Sequence, residues 1–201
     1  MLNLNPQWRL YAYFASIVPL SLIGYFYEED LISYIYTGQK GNLFNQLFVK
    51  HGWLWTVTVL APFTFRATST KVKASLVARL AAATAVWYFC TNSFDFIRDD
   101  VGIPIDISGH CFIAAWSNVV VTEEVKFSSS LIARDPWTKK HLNSAAGFSL
   151  LWDLMFVSTV LFYHSVPEKL IAVALAYGFW HLLYQKVFPV IFSVPKSRKL
   201  D

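Results

Sequence analysis

Six apolar runs of near membrane-spanning length follow one another along the chain, and they constrain its fold more than any other feature. Hydrophobic residues make up 55% of the 201 residues and charged residues only 15%, against about a quarter charged in an average soluble domain. A helix needs about 20 mainly apolar residues to cross a bilayer. The runs cover residues 8–27, 47–65, 74–94, 107–122, 145–163 and 170–188. The sequence therefore predicts an all-α integral membrane protein in which residues 1–201 form a single domain with six transmembrane helices.

Positive charge is unevenly distributed between the segments that connect these runs. Most of the 17 lysines and arginines fall on the side that holds both termini and the loops after the second and fourth runs. They are Arg9, Arg66, Lys71, Lys73, Lys126, Arg134, Lys139, Lys140, Lys186, Lys196, Arg198 and Lys199. The opposite side holds Lys40, Lys50, Arg98 and Lys169, and Arg79 lies within the third run. Because positively charged segments stay in the cytosol, both termini are predicted to be cytosolic.

Two histidines are predicted to meet on the side away from the cytosol. His110 begins the fourth run and His164 ends the fifth, so two antiparallel helices would place them at similar depth. His110 follows Ser108 and Gly109, which brings together a hydroxyl, a backbone without a Cβ and an imidazole at a helix N-terminus, where free N–H groups attract anions. The stretch is a candidate phosphate-binding corner. An ordinary loop or helix cap is the alternative interpretation.

Acidic residues in and beside the apolar runs have more than one interpretation. Asp153, in the fifth run, is a functional candidate by the general rule for charges at membrane depth. Pairing with Arg79 or His181 is the structural alternative. The Glu123-Glu124 pair is expected to cap the cytosolic end of the fourth run in contact with solvent, at the start of the longest soluble loop, residues 123–143.

Several stretches, in this order, resemble the signature of the fat storage-inducing transmembrane (FIT) family. The strongest is Asp-Ile-Ser-Gly-His at residues 106–110, which extends to Phe112 and is followed by Thr122-Glu123-Glu124. The others are Phe48-Val49-Lys50 with Trp53 and Trp55, Ala85 to Thr91, Leu154-Met155-Phe156, Tyr163-His164 and Phe179-Trp180. The resemblance extends from about Asn45 to Pro189.

The resemblance implies a multi-pass protein of the endoplasmic reticulum membrane that supports lipid droplet formation and lipid homeostasis. The family is similar to the lipid phosphate phosphatases, and the activity that the resemblance implies is that of an acyl-CoA diphosphatase. Such an enzyme cleaves the CoA pyrophosphate of fatty acyl-CoA to acyl-phosphopantetheine and adenosine 3′,5′-bisphosphate. The family's two catalytic histidines correspond to His110 and His164. The charge distribution separately predicts a lumenal position for both, with Ser108 and Gly109 expected to bind substrate phosphate.

The chain also departs from the phosphatase pattern. The upstream motif of the phosphatases, a lysine followed after six residues by Arg-Pro, is missing from the sequence, so Lys50 or Arg98 is expected to supply the cation that binds phosphate. The aspartate that follows the phosphatase histidine by four residues is replaced by Glu168. We expect Glu168 to orient His164 and Asp106 to support the site.

The predicted partners are fatty acyl-CoA, neutral lipids of the bilayer and the membrane itself, without nucleic acid. No cofactor and no metal site is identified, and dependence on a divalent metal is left open. A zinc site on His110 and Cys111 is disfavoured because adjacent side chains of a helix point apart. Two alternatives belong to other classes: a non-enzymatic protein that binds diacylglycerol or triacylglycerol and partitions neutral lipid, and a small transporter or scaffold whose histidines bridge loops.

Overall fold

The described part of the chain folds as a bundle of helices. The computed structural model describes residues 5–34, 51–67, 69–99, 106–131 and 136–192, and these contain no strand. The helices are α1 (Pro6–Tyr34), α2 (Gly52–Arg66), α3 (Thr70–Asp99), α4 (Gly109–Leu131), α5 (Pro136–Phe162) and α6 (Val166–Trp180). Helix α6 continues through a π-helical segment, His181–Val187, into the short helix α7 (Phe188–Ile191). The prediction of an all-α protein is confirmed.

Among the described residues, four helical stretches are long and apolar enough to cross a membrane. They are Pro6–Tyr27, Thr70–Phe94, Pro136–Phe162 and Val166–Ile191, which correspond to the first, third, fifth and sixth predicted runs. Helix α1 departs from helical geometry at Tyr27, where the first predicted run ends. The described part of α2 has only 15 residues, and α4 contains acidic residues in its second half.

Helix α4 lies at the centre of the bundle. It contacts α1, α2, α3, α5 and α6, and residues 111–121 are all buried. A helix enclosed by other helices meets side chains rather than lipid tails, so it does not need an apolar surface. This explains how Asn118 and Glu124 can occupy the most buried element of the bundle.

Helices that follow one another along the described part of the chain alternate in direction. Phe94, near the end of α3, contacts Phe112 at the start of α4, while Arg79 near the start of α3 contacts Glu124 further along α4. Similar contacts make α5 antiparallel to α4 and parallel to α1. The starts of α4 and α6 and the ends of α3 and α5 therefore lie at one end of the bundle, which we call the histidine end.

The connection between α4 and α5 differs from the prediction. A soluble loop over residues 123–143 was expected, but α4 extends to Leu131 and α5 begins at Pro136. Neighbouring helices bury one side of this extension, where Glu124 and Ser128 lie, whereas Lys126 is exposed. The polar residues after Thr122 therefore belong to a half-buried helix, and the loop prediction was wrong.

Close packing of α1 against α5 depends on Gly24. A Cβ atom at this position would lie 1.9 Å from the carbonyl oxygen of Leu161, so no larger residue fits without moving the two backbones apart. Apolar surface gives little driving force between helices inside a bilayer, and small residues that allow such close approach stabilise their association.

We predict that Gly24→Val destabilises the bundle, because the added side chain overlaps the backbone of α5. Overpacking typically costs about 1–3 kcal/mol, and a clash with backbone atoms belongs at the upper end of that range. Gly147→Ala is the control, since a Cβ there meets no atom within 4 Å. Thermal unfolding of the purified protein in detergent measures both changes. An unfolding temperature of Gly24→Val equal to that of the Gly147→Ala control would contradict the predicted contact.

Candidate active site

The first turn of α4 is organised by Ser108, the residue that precedes the helix. Its Oγ accepts a hydrogen bond from the backbone N–H of Cys111 at 3.2 Å, the arrangement of a helix N-cap, and the side chain is fully buried. The cap fixes the direction in which α4 begins. Beside it, a Cβ added to Gly109 would meet no atom within 4 Å, so the described part of the chain leaves space for a ligand next to this backbone.

His164 lies in the short turn between α5 and α6 and has an unusual backbone conformation. Its φ is 63°, in the left-handed region that non-glycine residues rarely adopt. Such conformations cost on the order of 1–3 kcal/mol and are found mainly where the surrounding structure imposes them, often at functional sites. Here the turn directs the His164 side chain toward the start of α4, where its ring centroid lies 6.3 Å from that of His110.

Two carboxylates lie on one side of the His164 ring. Its Nδ1 atom is 3.5 Å from Glu168 Oε2 and 3.8 Å from Asp106 Oδ2. Glu168 is itself held by backbone N–H groups, from Ser165 at 2.8 Å and from Asp106 at 3.3 Å. A carboxylate near Nδ1 favours a proton on that nitrogen and leaves Nε2 as the nucleophilic atom of the ring. The expected position of Glu168 beside His164 is therefore found in the structure.

His110 lies in the first turn of α4, and its ring faces the turn between α5 and α6. It stacks on Tyr163 with a centroid separation of 6.4 Å and an interplanar angle of 13°. The ring is partly buried, as is His164, whose side chain is 18% exposed. The two imidazoles can therefore be reached by a ligand and are held in place by the elements around them.

A cavity of about 370 Å³ opens next to His164. One wall is formed by α1 between Val18 and Tyr25, and the other by the end of α5 and the start of α6, including Lys169. The α1 wall includes apolar side chains that are also exposed on the outside of the bundle, such as Leu22 at 52% and Tyr25 at 78%. The cavity is therefore lined both by apolar side chains of α1 and by polar groups such as His164 and Lys169.

Lys50 and Arg98 are the two cations that the sequence predicts to bind phosphate. Lys50 lies outside the described residues. Arg98 is in the last turn of α3, at the histidine end, and its side chain also falls outside the described part. Sequence reasoning overlooked Lys169, which borders the cavity and was counted only as a charge of the lumenal side. Its position, one residue after Glu168 on the same helical turn, was the available signal.

Asp153 has a different partner from those considered for it. It forms an ion pair with Arg9 of α1, with 3.2 Å between Nη2 and Oδ2, so the pairing with Arg79 or His181 was wrong. Asn118 donates to Asp153 Oδ1 at 2.6 Å, and Tyr13 donates to the same oxygen at 2.5 Å. Arg9 and Asp153 are far apart in sequence, so only the packing of α1 on α5 reveals the pair.

Glu124 is buried rather than in contact with solvent, so its expected position as an exposed helix cap was wrong. Arg79 Nε donates to both of its carboxylate oxygens, at 3.0 and 3.1 Å, and the Tyr184 hydroxyl donates to it at 3.0 Å. Glu123 accepts a hydrogen bond from the Trp180 indole N–H at 2.9 Å. The pair thus joins α4 to α3 and α6, at the opposite end of the bundle from the histidines.

We predict that Arg79→Met destabilises the protein by about 3–5 kcal/mol, because it leaves the Glu124 charge buried without its partner. The double variant Arg79→Met/Glu124→Met should lose less stability than Arg79→Met alone, since it removes both charges. Denaturant or thermal unfolding in detergent measures the three proteins, with Lys73→Met, an exposed position on α3, as control. A double variant that loses more stability than Arg79→Met alone would contradict a direct ion pair.

These observations define a class of protein: an α-helical, multi-pass membrane protein with a two-histidine site at one end of its bundle. A model of the fat storage-inducing transmembrane protein family, FIT, matches residues 33–98. The chain is 28% identical to the acyl-coenzyme A diphosphatase FITM2 of Xenopus tropicalis over 75% of this chain and 72% of that protein. It is 25% identical to FITM2 of Drosophila melanogaster over 96% and 61%, and 26% identical to FITM2 of Homo sapiens over 79% and 75%.

The chain is thus similar to members of the FIT family, as the order of its motifs suggested. The region matched by the family model ends before Asp106, so the roles of His110 and His164 depend on the geometry of the site. No solved structure matches the fold. Within the described residues, no group of three or more His, Cys, Asp or Glu side chains is placed to hold a metal ion.

Proposed function

We propose that this protein is a fatty acyl-CoA diphosphatase of the endoplasmic reticulum membrane. The observation that carries the proposal is the meeting of His110 and His164, with ring centroids 6.3 Å apart, beside a cavity that opens among exposed apolar residues of α1. The name acyl-coenzyme A diphosphatase, given to relatives that cover most of this chain, supplies the reaction. Its products would be acyl-phosphopantetheine and adenosine 3′,5′-bisphosphate.

The two rings divide the chemistry between them. His164 Nε2 attacks one phosphorus of the pyrophosphate, so an N–P bond forms while the anhydride P–O bond breaks. His110 gives its proton to the departing oxygen, and water then hydrolyses the phosphohistidine. Attack requires about 3–3.5 Å between the reacting atoms and proton transfer about 2.6–3.2 Å between heavy atoms. One phosphoryl group placed between two rings at the observed separation is compatible with both distances.

The proposal also includes a topology. Six helices that alternate in direction along the chain would cross the membrane six times, with α4 enclosed by the others. The uneven distribution of Lys and Arg then puts both termini in the cytosol and the histidine end in the lumen. The acyl chain would enter the cavity from the bilayer past the exposed apolar residues of α1, while the CoA headgroup stays on the aqueous side. Conversion of fatty acyl-CoA to acyl-phosphopantetheine at this surface would support lipid droplet formation and lipid homeostasis.

The decisive experiment incubates the purified protein with oleoyl-CoA and measures adenosine 3′,5′-bisphosphate. General acid catalysis is worth about 10²–10⁴-fold, so His110→Ala should lower turnover by at least about 100-fold, and His164→Ala should abolish it as the nucleophile is removed. His181→Ala, an exposed histidine of the π-helical segment, is the control and should keep full activity.

Two outcomes would overturn the proposal. Turnover that survives in both His110→Ala and His164→Ala would remove the site from the reaction. Wild-type protein that binds oleoyl-CoA or triacylglycerol without releasing adenosine bisphosphate would instead favour the non-enzymatic protein that partitions neutral lipid.

We further predict that Glu168→Gln lowers kcat by as much as about 100-fold, because it removes the charge that orients His164, and a misplaced reacting group can cost that much. The glutamine oxygen can still accept the hydrogen bond from the Ser165 N–H, so the unfolding temperature and KM should change little. Asp106→Asn should have a smaller effect, since Asp106 lies further from the ring and is half exposed. Unchanged kcat in Glu168→Gln would contradict the orienting role.

A further inference from the structure

Lys169 is a buried cation whose charge is only partly satisfied by the protein around it. The residue is 3% exposed. Its ammonium donates to the Val160 carbonyl at 2.7 Å and to the Ser21 hydroxyl at 2.9 Å. An ammonium has three N–H donors, and within the described residues no third acceptor is found. No carboxylate in that part of the chain comes within ion-pair distance of Nζ either.

Burial of an ammonium beside two neutral oxygens is costly. A charge removed from water needs an opposite charge or a full set of hydrogen bonds to offset the loss of hydration. The other buried cations of the described chain have such a partner: Arg9 pairs with Asp153, and Arg79 pairs with Glu124. Lys169 differs from them in this respect, and it borders the same cavity as His164. An anion in that cavity would complete its contacts.

We propose that Lys169 binds a phosphate group of the substrate in the cavity beside His164. The identity of the ligand rests on the proposed diphosphatase function, whereas the presence of an anion site rests on the burial, the hydrogen bonds and the cavity. Lys169 would hold phosphate oxygens and neutralise part of the pyrophosphate charge as His164 approaches the phosphorus. It thereby takes the place of the basic motif that the phosphatases carry and this chain lacks.

The geometry of α6 places the ammonium for this purpose. Glu168, in the first turn of α6, faces the His164 ring. Lys169 is the next residue along the helix, and its side chain reaches Ser21 of α1 beside the cavity. The apolar α1 wall continues outward from there through Leu22 and Tyr25. A substrate that enters from the bilayer would therefore bring its phosphate to Lys169 with its acyl chain still in contact with apolar groups.

A purely structural role for Lys169 makes different predictions. The same ammonium joins α1 to the end of α5 through Ser21 and Val160, and this link alone would make Lys169 important for stability. Ser21→Ala breaks one half of the link but leaves the charge in place. Lys169→Gln keeps a donor at this position and removes the charge, and Lys169→Arg keeps the charge in a different shape.

The test measures binding in a His164→Gln background, in which the proposed nucleophile is absent and the ligand stays intact. The ligands are oleoyl-CoA and oleoyl-pantetheine, which carries the same acyl thioester without phosphate, both added to the full chain in detergent. A hydrogen bond to a charged group contributes enough that Lys169→Gln should weaken oleoyl-CoA binding by at least about tenfold. Its affinity for oleoyl-pantetheine should not change, and Lys169→Arg and Ser21→Ala should bind oleoyl-CoA within about threefold of the parent.

An equal loss of affinity for both ligands in Lys169→Gln, or a loss in Ser21→Ala as large as in Lys169→Gln, would overturn the proposal and leave Lys169 as a structural link. The test of the anion site at Lys169 can fail independently of the test of the diphosphatase activity. Turnover by the wild type together with unchanged oleoyl-CoA binding in Lys169→Gln rejects the anion site alone. If Lys169→Gln selectively loses oleoyl-CoA binding and the wild-type protein shows no turnover, the anion site is supported and the diphosphatase is rejected.

Discussion

The burial of α4 inside the bundle is the constraint on which the rest of the structure depends. A helix enclosed at membrane depth has no water to solvate its polar groups, so partners on neighbouring helices stabilise the charged and amide groups that it buries. Asn118 donates hydrogen bonds to Asp153 and Tyr13, and Glu124 forms an ion pair with Arg79. These bonds have fixed positions along each helix, and a shift of α4 by one turn would break them together.

The register of α4 against its neighbours, fixed in this way, determines the positions of His110 and His164 at the histidine end. Asn118 also donates to the backbone carbonyl of Ser149 at 3.2 Å, which sets the height of α4 against α5. From Asn118, about two turns back along α4 lead to His110, and from Ser149 about three and a half turns forward along α5 lead to the turn that holds His164. The buried polar network therefore positions the two rings without touching them, and the N-cap at Ser108 fixes where α4 begins.

The sequence predicted the helical class and the meeting of the two histidines well, because both follow from patterns along the chain. Apolar runs identify helices, and residues at matching ends of antiparallel neighbours come together. Its errors at Asp153 and Glu124 have one cause. Hydropathy shows that a residue is polar but cannot distinguish a solvated helix end from a buried ion pair, because the partner lies on another helix. The same limit turned residues 123–131 into a predicted loop.

The contact of Glu168 with His164 and the burial of Lys169 could not be predicted from the sequence, because both depend on backbone geometry. Glu168 reaches His164 only because the chain enters a helix at once after the left-handed turn, with Pro167 accommodated in its first turn. Lys169 was recorded only as a lumenal charge, since its burial depends on how closely Gly24 brings α1 to α5. The positions of both residues depend on backbone geometry that a pattern of residue types does not contain.

The central claim is that the two imidazoles act on one phosphorus atom, and orthovanadate, which mimics a phosphoryl group in transfer, tests it directly. A structure of the protein with bound vanadate should show vanadium bonded to Nε2 of His164 and a vanadate oxygen within about 3.2 Å of the His110 ring. Vanadate bound away from His164, or bound there with His110 turned away and too distant to donate a proton, would contradict the account.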